Sequence, residues 1–203
     1  MTFTVVARKL AAFRDVPRSV SACALTALVA AFLFWVVPPL ASQEVRPTER
    51  QVKAAYIFNF GKFVTWPADR PSASDQFQIC ILGKDPFGAV LDATVNGESM
   101  NGKAITIKRL PRIQDAVSCN ILFVSSSEEG RVGAVLSAAE HMSLLTVSDM
   151  KNFAERGGEI GLIAQGDRIR FEVNLTAAGH AHLALSSQLL KVAVKIIGQE
   201  PTP

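Results

Sequence analysis

Apolar residues recur along this chain at two periods, about 3.6 and 2, and the places where the period changes mark its elements. Thr48-Glu49-Arg50-Gln51 has the form of a capping box, a hydroxyl at the N-cap and a carboxamide three residues on. Val52, Ala55, Tyr56, Asn59, Phe60 and Phe63 follow at helical spacing, which predicts a helix from about 49 to 64 ended by Trp66-Pro67. Pro71 to Asp75 reads as a loop. Phe77-Gln-Ile-Cys-Ile-Leu82 is a nearly continuous apolar run of strand length. Asp85-Pro86 predicts a helix start, a capping side chain with proline at the first helical position, and Phe87, Val90 and Leu91 supply its buried stripe.

Asn96-Gly97 and Asn101-Gly102 are turns on either side of a short segment, and Ala104 to Lys108 alternates as a strand. Pro111 to Val117 suits a short helix. Cys119-Asn-Ile-Leu-Phe-Val124 is a second buried strand, and Ser125 to Ser127 cap a helix running to about Glu140, with Glu128 and Glu129 favourably placed in its first turn. Ser143 to Val147 reads as another strand, and Asp149 as the cap or turn residue of a short helical turn toward Phe153. Beyond Gly157-Gly158, Glu159 to Ala164 and Arg168 to Asn174 form a hairpin across Gln165-Gly166-Asp167. A last helix begins near Ser186 or Ser187 and carries Leu189, Leu190, Val192, Ala193 and Ile196. Strands alternating with helices predict an α/β fold: a mixed, largely parallel sheet flanked by helices, with a C-terminal β-hairpin and a final helix.

The first forty residues follow a different pattern. Val20 to Val37 is almost wholly apolar or small, preceded by Arg8, Lys9, Arg14 and Arg18 and followed by Pro38-Pro39 and Leu40-Ala41-Ser42. A basic stretch, an apolar stretch and a small-residue exit make an export signal, with cleavage expected after Ala41 or Ser42. The apolar run also approaches the ~18–20 residues of a membrane span, so an uncleaved anchor is the alternative. The expected organisation is an export segment over residues 1–42 and one domain over 43–203. The segment inflates the mean hydropathy of +0.24. It also carries the whole net charge of +3, leaving equal numbers of basic and acidic residues in the domain. A neutral domain with no Lys/Arg run gives no electrostatic case for nucleic acid. Of three cysteines, Cys23 lies in the export segment. Cys80 and Cys119 read as one disulfide in an oxidising compartment, two buried free thiols being the other reading.

Candidate chemistry is sparse. Gly83-Lys-Asp-Pro-Phe-Gly88 has neither the glycine pattern of a dinucleotide loop nor the Lys-Ser/Thr ending of a phosphate loop, and reads as a tight strand-to-helix turn. His180 and His182 have a ligand-like spacing but no cysteine or acid close by to complete a metal site. Ser125, His141 and Asp149 make a triad on paper, without a nucleophile elbow. No cofactor or metal is expected. The strand from Arg168 to Leu175 is more telling. Ile169, Phe171, Val173 and Leu175 alternate with Arg168, Arg170, Glu172 and Asn174. The polar side is either a solvated face with cross-strand ion pairs or a recognition face on an outer strand, with Arg168, Arg170 and Glu172 as its chief residues and the start of the final helix beside it.

Several of these segments together resemble the YfiR-like family of periplasmic regulators. The resemblance rests on Lys53-Ala-Ala-Tyr-Ile-Phe-Asn-Phe60 with Lys62-Phe63 and Trp66-Pro67. It continues through Ile81-Leu-Gly83, Pro86-Phe-Gly88 and Ile121-Leu-Phe-Val124. Leu145-Thr-Val-Ser-Asp149, Phe153-Ala-Glu-Arg-Gly-Gly158, Arg170-Phe-Glu-Val-Asn-Leu175 and Ser186-Ser-Gln-Leu-Leu190 complete it. What the resemblance implies is a periplasmic, non-catalytic regulator. Such a protein represses an inner-membrane signalling enzyme, a diguanylate cyclase in the best-understood branch, by binding its periplasmic sensor region, and an outer-membrane lipoprotein sequesters it. A homodimer and control by disulfide state are implied too. Cys80 and Cys119 match a cysteine pair of that branch, whereas Phe153 to Ala178 contains no cysteine for a second pair. The alternative function is a periplasmic small-molecule sensor with a pocket at the strand ends.

Overall fold

The structure is a computed structural model that describes residues 46–68 and 75–198; the segment expected to direct export and most of the 71–75 loop lie outside these residues. Helix α1 (Glu49–Phe60) starts on the expected capping box: the Gln51 amide donates to Thr48 Oγ1, and the Thr48 amide to Gln51 Oε1. It ends earlier than its periodicity predicts. Gly61 closes it, packed against Met100 and Phe77, and the chain turns so that β1 (Val64–Thr65) pairs with β9 (Ala184–Leu185). A pairing distant in sequence overrides the local helical period there.

The remaining strands build one eight-stranded sheet. They are β2 (Gln76–Leu82), β3 (Ser99–Met100), β4 (Lys103–Leu110), β5 (Ile121–Val124), β6 (Leu145–Ser148), β7 (Ile160–Gln165), β8 (Arg168–Asn174) and β10 (Lys195–Ile197). Their order is β10-β8-β7-β6-β5-β2-β4-β3. From β4 through β7 every neighbour is parallel; β3 joins β4, and β7 joins β8, antiparallel. The fold is therefore the mixed, largely parallel α/β sheet that the sequence pattern implies.

The near-continuous apolar runs of β2 and β5 have a direct cause: both faces of the sheet are covered. Ile79, Ile81, Ile121, Phe123, Val147 and Phe171 face α1 and α2 (Ala89–Val95). Cys80, Leu82, Leu122 and Val124 face a 3-10 turn at Ile113–Ala116 and α3 (Val132–Ala139). Phe123 is fully buried and meets Phe87 edge-on at 4.8 Å; truncating such a side chain to alanine costs about 3–5 kcal/mol.

Four more expectations need correction. Asp85 accepts from the amides of Phe87 and Gly88, but the helix itself begins at Ala89, so Pro86 lies in the turn that precedes it. The helix expected from Ser125 to Glu140 is a 3-10 segment, Ser126–Arg131, followed by α3. A short helix absent from the expectation, α4 (Leu175–His180), follows β8, capped by Asn174 Oδ1 on the Ala177 amide. The final helix α5 (Ser187–Val192) starts at the expected Ser186 cap yet stops before Ile196, because Lys195–Ile197 pairs in parallel with β8 as β10.

Candidate functional site

At the carboxyl ends of β2, β5 and β6, where a parallel sheet usually offers its binding crevice, side chains meet one another. Gly83 has φ +85, and a side chain there would collide with Ser127 and Glu128. Ser127 Oγ accepts from the Lys84 amide, and buried Glu128 is held by Arg131. Arg109 from β4 donates to Asp85 at 2.8 Å, to Asp92 and to the Gly88 carbonyl. Its hydrogen bond holds the Asp92 carboxyl below the usual range. Lys53 of α1 reaches Asp149 and Glu49, each at 2.6 Å. Burial opposes the Lys53 charge, but the two carboxylates outweigh it and its pKa is raised. Asp149 is thus an ion-pair partner; the turn after β6 is capped instead by Ser148 Oγ, which accepts from the Met150 amide.

The neighbouring corner is different. Between the N-terminal end of α1 and the β7–β8 hairpin lies a groove of about 510 Å³. Arg46, Val52, Tyr56, Asp167, Arg168 and Arg170 are among its lining residues. Tyr56 stacks on Phe60, meets Phe171 edge-on, and donates its hydroxyl to the Ile169 carbonyl at 3.1 Å. Its ring forms the apolar floor. Arg168 is exposed and Arg170 half-buried, and neither has an ion-pair partner among the described residues. The backbone beside them is covered by no strand among the described residues, although the Tyr56 hydroxyl already takes the Ile169 carbonyl. β10 begins opposite Glu172, so the edge of β8 from Arg168 to Arg170 has no strand next to it.

The three residues singled out from the sequence therefore separate. Arg168 and Arg170 line the groove, whereas Glu172 sits in register between Gly161 of β7 and Lys195 of β10. β8 is not an outer strand along its whole length, since β10 covers its second half. The exit of the final helix meets β8 just beyond the arginines, the Val194 amide donating to the Phe171 carbonyl. Asn174, assigned to the polar side by alternation, is buried and donates to the Ala154 carbonyl at 2.8 Å.

Cys80 and Cys119 are bridged, both fully buried, with Cα atoms 5.9 Å apart. The bridge ties β2 to the entry of β5, where Asn120 also brackets Gln78, its amide donating to the Gln78 carbonyl and its Oδ1 accepting from the Gln78 amide. Ser125 caps the following turn by accepting from the Ser127 amide. His141 precedes β6, while Ser125 and Asp149 follow the carboxyl ends of β5 and β6, so the topology separates the paper triad. His180 ends α4 and pairs with Glu140 at 3.1 Å, and His182 adopts φ 56 beyond it, so the two do not share an extended segment. Among the described residues no group of three or more His, Cys, Asp or Glu side chains is placed to hold a metal ion. No helix among them is long and apolar enough to cross a membrane.

Sheet, flanking helices and hairpin groove define an α/β domain with an arginine-rich, partly apolar recess at one corner, which Glu49 and Asp167 also line. Its family follows from the sequence: residues 50–194 match the family model DUF4154, YfiR/HmsC-like, and the chain belongs to that family. No curated protein matches it. Among solved structures it is similar to a conserved domain protein from Vibrio cholerae, at 13% identity over 59% of this chain and 54% of that one, with a TM-score of 0.44. It is also similar to an ABC domain in complex with L-Trp from Streptococcus pneumonia, at 11% identity over 71% and 60% of the two chains, with a TM-score of 0.47. The chain thus spans little more than half the length of these two structures, and at such scores neither bears on its function.

Proposed function

We propose that this protein is an exported, periplasmic, non-catalytic regulator that represses an inner-membrane signalling enzyme, a diguanylate cyclase, by binding its periplasmic sensor region. Membership of the YfiR/HmsC-like family supports the class of activity. The observation that supports the location is the hairpin groove: among the described residues Arg168 and Arg170 have no ion-pair partner, no strand lies beside them on that edge of β8, and the Tyr56 ring forms an aromatic floor. Guanidinium forks and an open edge suit an extended segment carrying carboxylates, which would add its backbone to β8 and its acids to the arginines. An outer-membrane lipoprotein competing for the same groove, and a homodimeric state, belong to this proposal. The rival reading, a small-molecule sensor at the strand ends, meets a crevice already occupied by Ser127 and Glu128.

The test is cellular. Producing the wild-type chain in a strain that carries the cyclase should lower cyclic-di-GMP, and Arg168→Glu with Arg170→Glu should abolish that effect at an unchanged periplasmic level. A doubly reversed protein that is folded, exported and still lowers cyclic-di-GMP sinks the groove as the docking surface. N-terminal sequencing of the periplasmic form should begin near Gln43; a membrane-bound form that keeps Met1 would make it an anchored protein.

A further inference from the structure

A second recess lies at the opposite end of the sheet, between α3 and α4, with a volume of about 360 Å³. At its base is Glu159, only 5% exposed. The side chain is held by Thr146 across the β6–β7 junction. Thr146 donates both its amide, at 2.8 Å, and its hydroxyl to Glu159 Oε2, and the hydroxyl accepts from the Glu159 amide at 3.2 Å. Beyond Thr146 and its own backbone amide, the Glu159 carboxylate has no donor, and no cation faces it, among the described residues. The charged groups lining the recess are committed elsewhere. Arg156 reaches out to Glu129, and His180 pairs with Glu140. A buried carboxylate normally has a cation or a full set of donors. This one has half a set and faces a cleft.

The cleft is also kept open. Gly133 lies on it within α3, and a Cβ built there meets nothing within 4 Å. Glycine inside a helix weakens it, so local propensity does not favour glycine at this position. We propose that this cleft binds a small organic cation, with its ammonium group seated on Glu159 Oε1 and its hydrocarbon lying against Leu136 and Ala139 of α3. Both of these side chains line the recess and are otherwise core residues. An ammonium supplies the donors that Oε1 lacks and the counter-charge that Glu159 lacks. Glu140 adds a second negative charge near Glu159 and strengthens the preference for a cation over an anion.

The probe is butylamine, with butan-1-ol as the neutral isostere, titrated into the exported domain at pH 8 and followed by amide shifts. Butylamine should perturb Thr146, Gly157 and Thr176 with a dissociation constant on the order of 1 mM, as expected for so small a ligand. Butan-1-ol should bind at least tenfold more weakly. Burial raises the Glu159 pKa to about 7, so binding of the amine near that pH should also release protons, visible as a heat that depends on the buffer's ionisation enthalpy. Glu159→Gln keeps an acceptor for Thr146 and should lose butylamine binding more than tenfold. Gly133→Leu, which fills the cleft without touching Glu159 and favours the helix, should lose it as well. Equal affinity for the amine and the alcohol, or wild-type affinity in a folded Glu159→Gln protein, overturns the proposal. Shifts unchanged up to 20-fold above that concentration range do so too.

Discussion

Two charged regions sit side by side at one end of the sheet, and they are built oppositely. Over β2 and β5, Arg109 is shared between Asp85 and Asp92, Arg131 holds Glu128, and Lys53 is divided between Asp149 and Glu49. Glycine at position 83 lets Ser127 and Glu128 close the space. Over the hairpin, Arg168 and Arg170 face a groove and have no ion-pair partner among the described residues. Residue types do not distinguish the two regions. What does is whether each charge is already neutralised by a neighbour on the same chain. Paired charges position β2, β4 and α1; unpaired ones beside an open strand edge are available to another molecule. Substitutions in the first region should therefore alter stability, and in the second, association.

The largest effect belongs beneath the paired region. Removing the bridge with Cys119→Ser should destabilise the domain by about 4 kcal/mol on the chain-entropy model, for a loop spanning a sequence separation of 39. For a domain of this size that is about 10 °C in Tm, and reducing agent should do the same to the wild type while leaving the variant unchanged. Two thiols titrated on the unfolded, unreduced protein would show that the bridge is not formed.

Next is the pH dependence set by Glu159, which belongs to neither region. Burial raises its pKa from 4.5 to about 7, so the folded state holds the proton more tightly than the unfolded chain. Stability from this group is complete below about pH 4.5, declines as pH rises to about 7, and is level beyond. The loss is on the order of 3 kcal/mol. Arg156, His180 and Glu140 share the cleft, so the control is Glu159→Gln rather than a wild-type profile alone. That variant should match the wild type near pH 4.5 and exceed it in urea midpoint at pH 8. Parallel curves for the two proteins from pH 4.5 to 8 would remove Glu159 as the cause.

Much of the fold was legible in sequence because its strands are buried on both faces and its helix starts carry caps. Thr48, Ser125 and Ser186 cap where expected, and Asn174 caps where alternation assigned it to a polar face. What was not legible depends on partners far along the chain. Nothing in Val64-Thr65 announces Ala184-Leu185, and the run Lys195 to Ile197 continues the helical period of α5 until the edge of β8 offers a better pairing. The same long-range edge separates Glu172 from Arg168 and Arg170, because β10 stops short of the arginines. The disulfide was readable from cysteine count and compartment. Glu159 was not singled out, since a glutamate opening a strand looks ordinary until α3 and α4 bury it. Two glycines just before it were the available signal that the chain packs closely there: a side chain at Gly158 would collide with the Phe153 ring.

Within the paired region, Asp85 carries more than Arg109. Its carboxylate accepts from the Phe87 and Gly88 amides as well as from Arg109, and it is the less exposed partner, at 16% against 41%. Asp85→Ala should cost about 2 kcal/mol by chemical denaturation. Arg109→Ala should cost about 1 kcal/mol, because its charge is substantially solvated. Neither should change the proposed repression of a signalling enzyme once the folded fraction is accounted for. A loss of repression in a fully folded Arg109→Ala protein would transfer the docking surface to the paired region.

The smallest effect on stability, and the sharpest on association, should come from Arg170→Glu. The guanidinium is half-buried at the groove and has no carboxylate partner among the described residues, so reversal breaks no ion pair there. Its stability cost should stay within about 0.5 kcal/mol, the ordinary range for a surface substitution. If the groove receives carboxylates of the partner, the same change replaces an attraction by a repulsion. Affinity for the isolated periplasmic sensor region should then fall more than tenfold, and the salt dependence of association should weaken, because a steering charge has changed sign. Measuring Tm, affinity and salt dependence on one preparation separates the two roles of an arginine on β8. A structural arginine loses Tm and affinity together, in proportion to the unfolded fraction. A recognitive one loses affinity with Tm unchanged. A well-folded Arg170→Glu protein that binds the sensor region as the wild type does would leave the groove without a docking role and erase the contrast with the paired side.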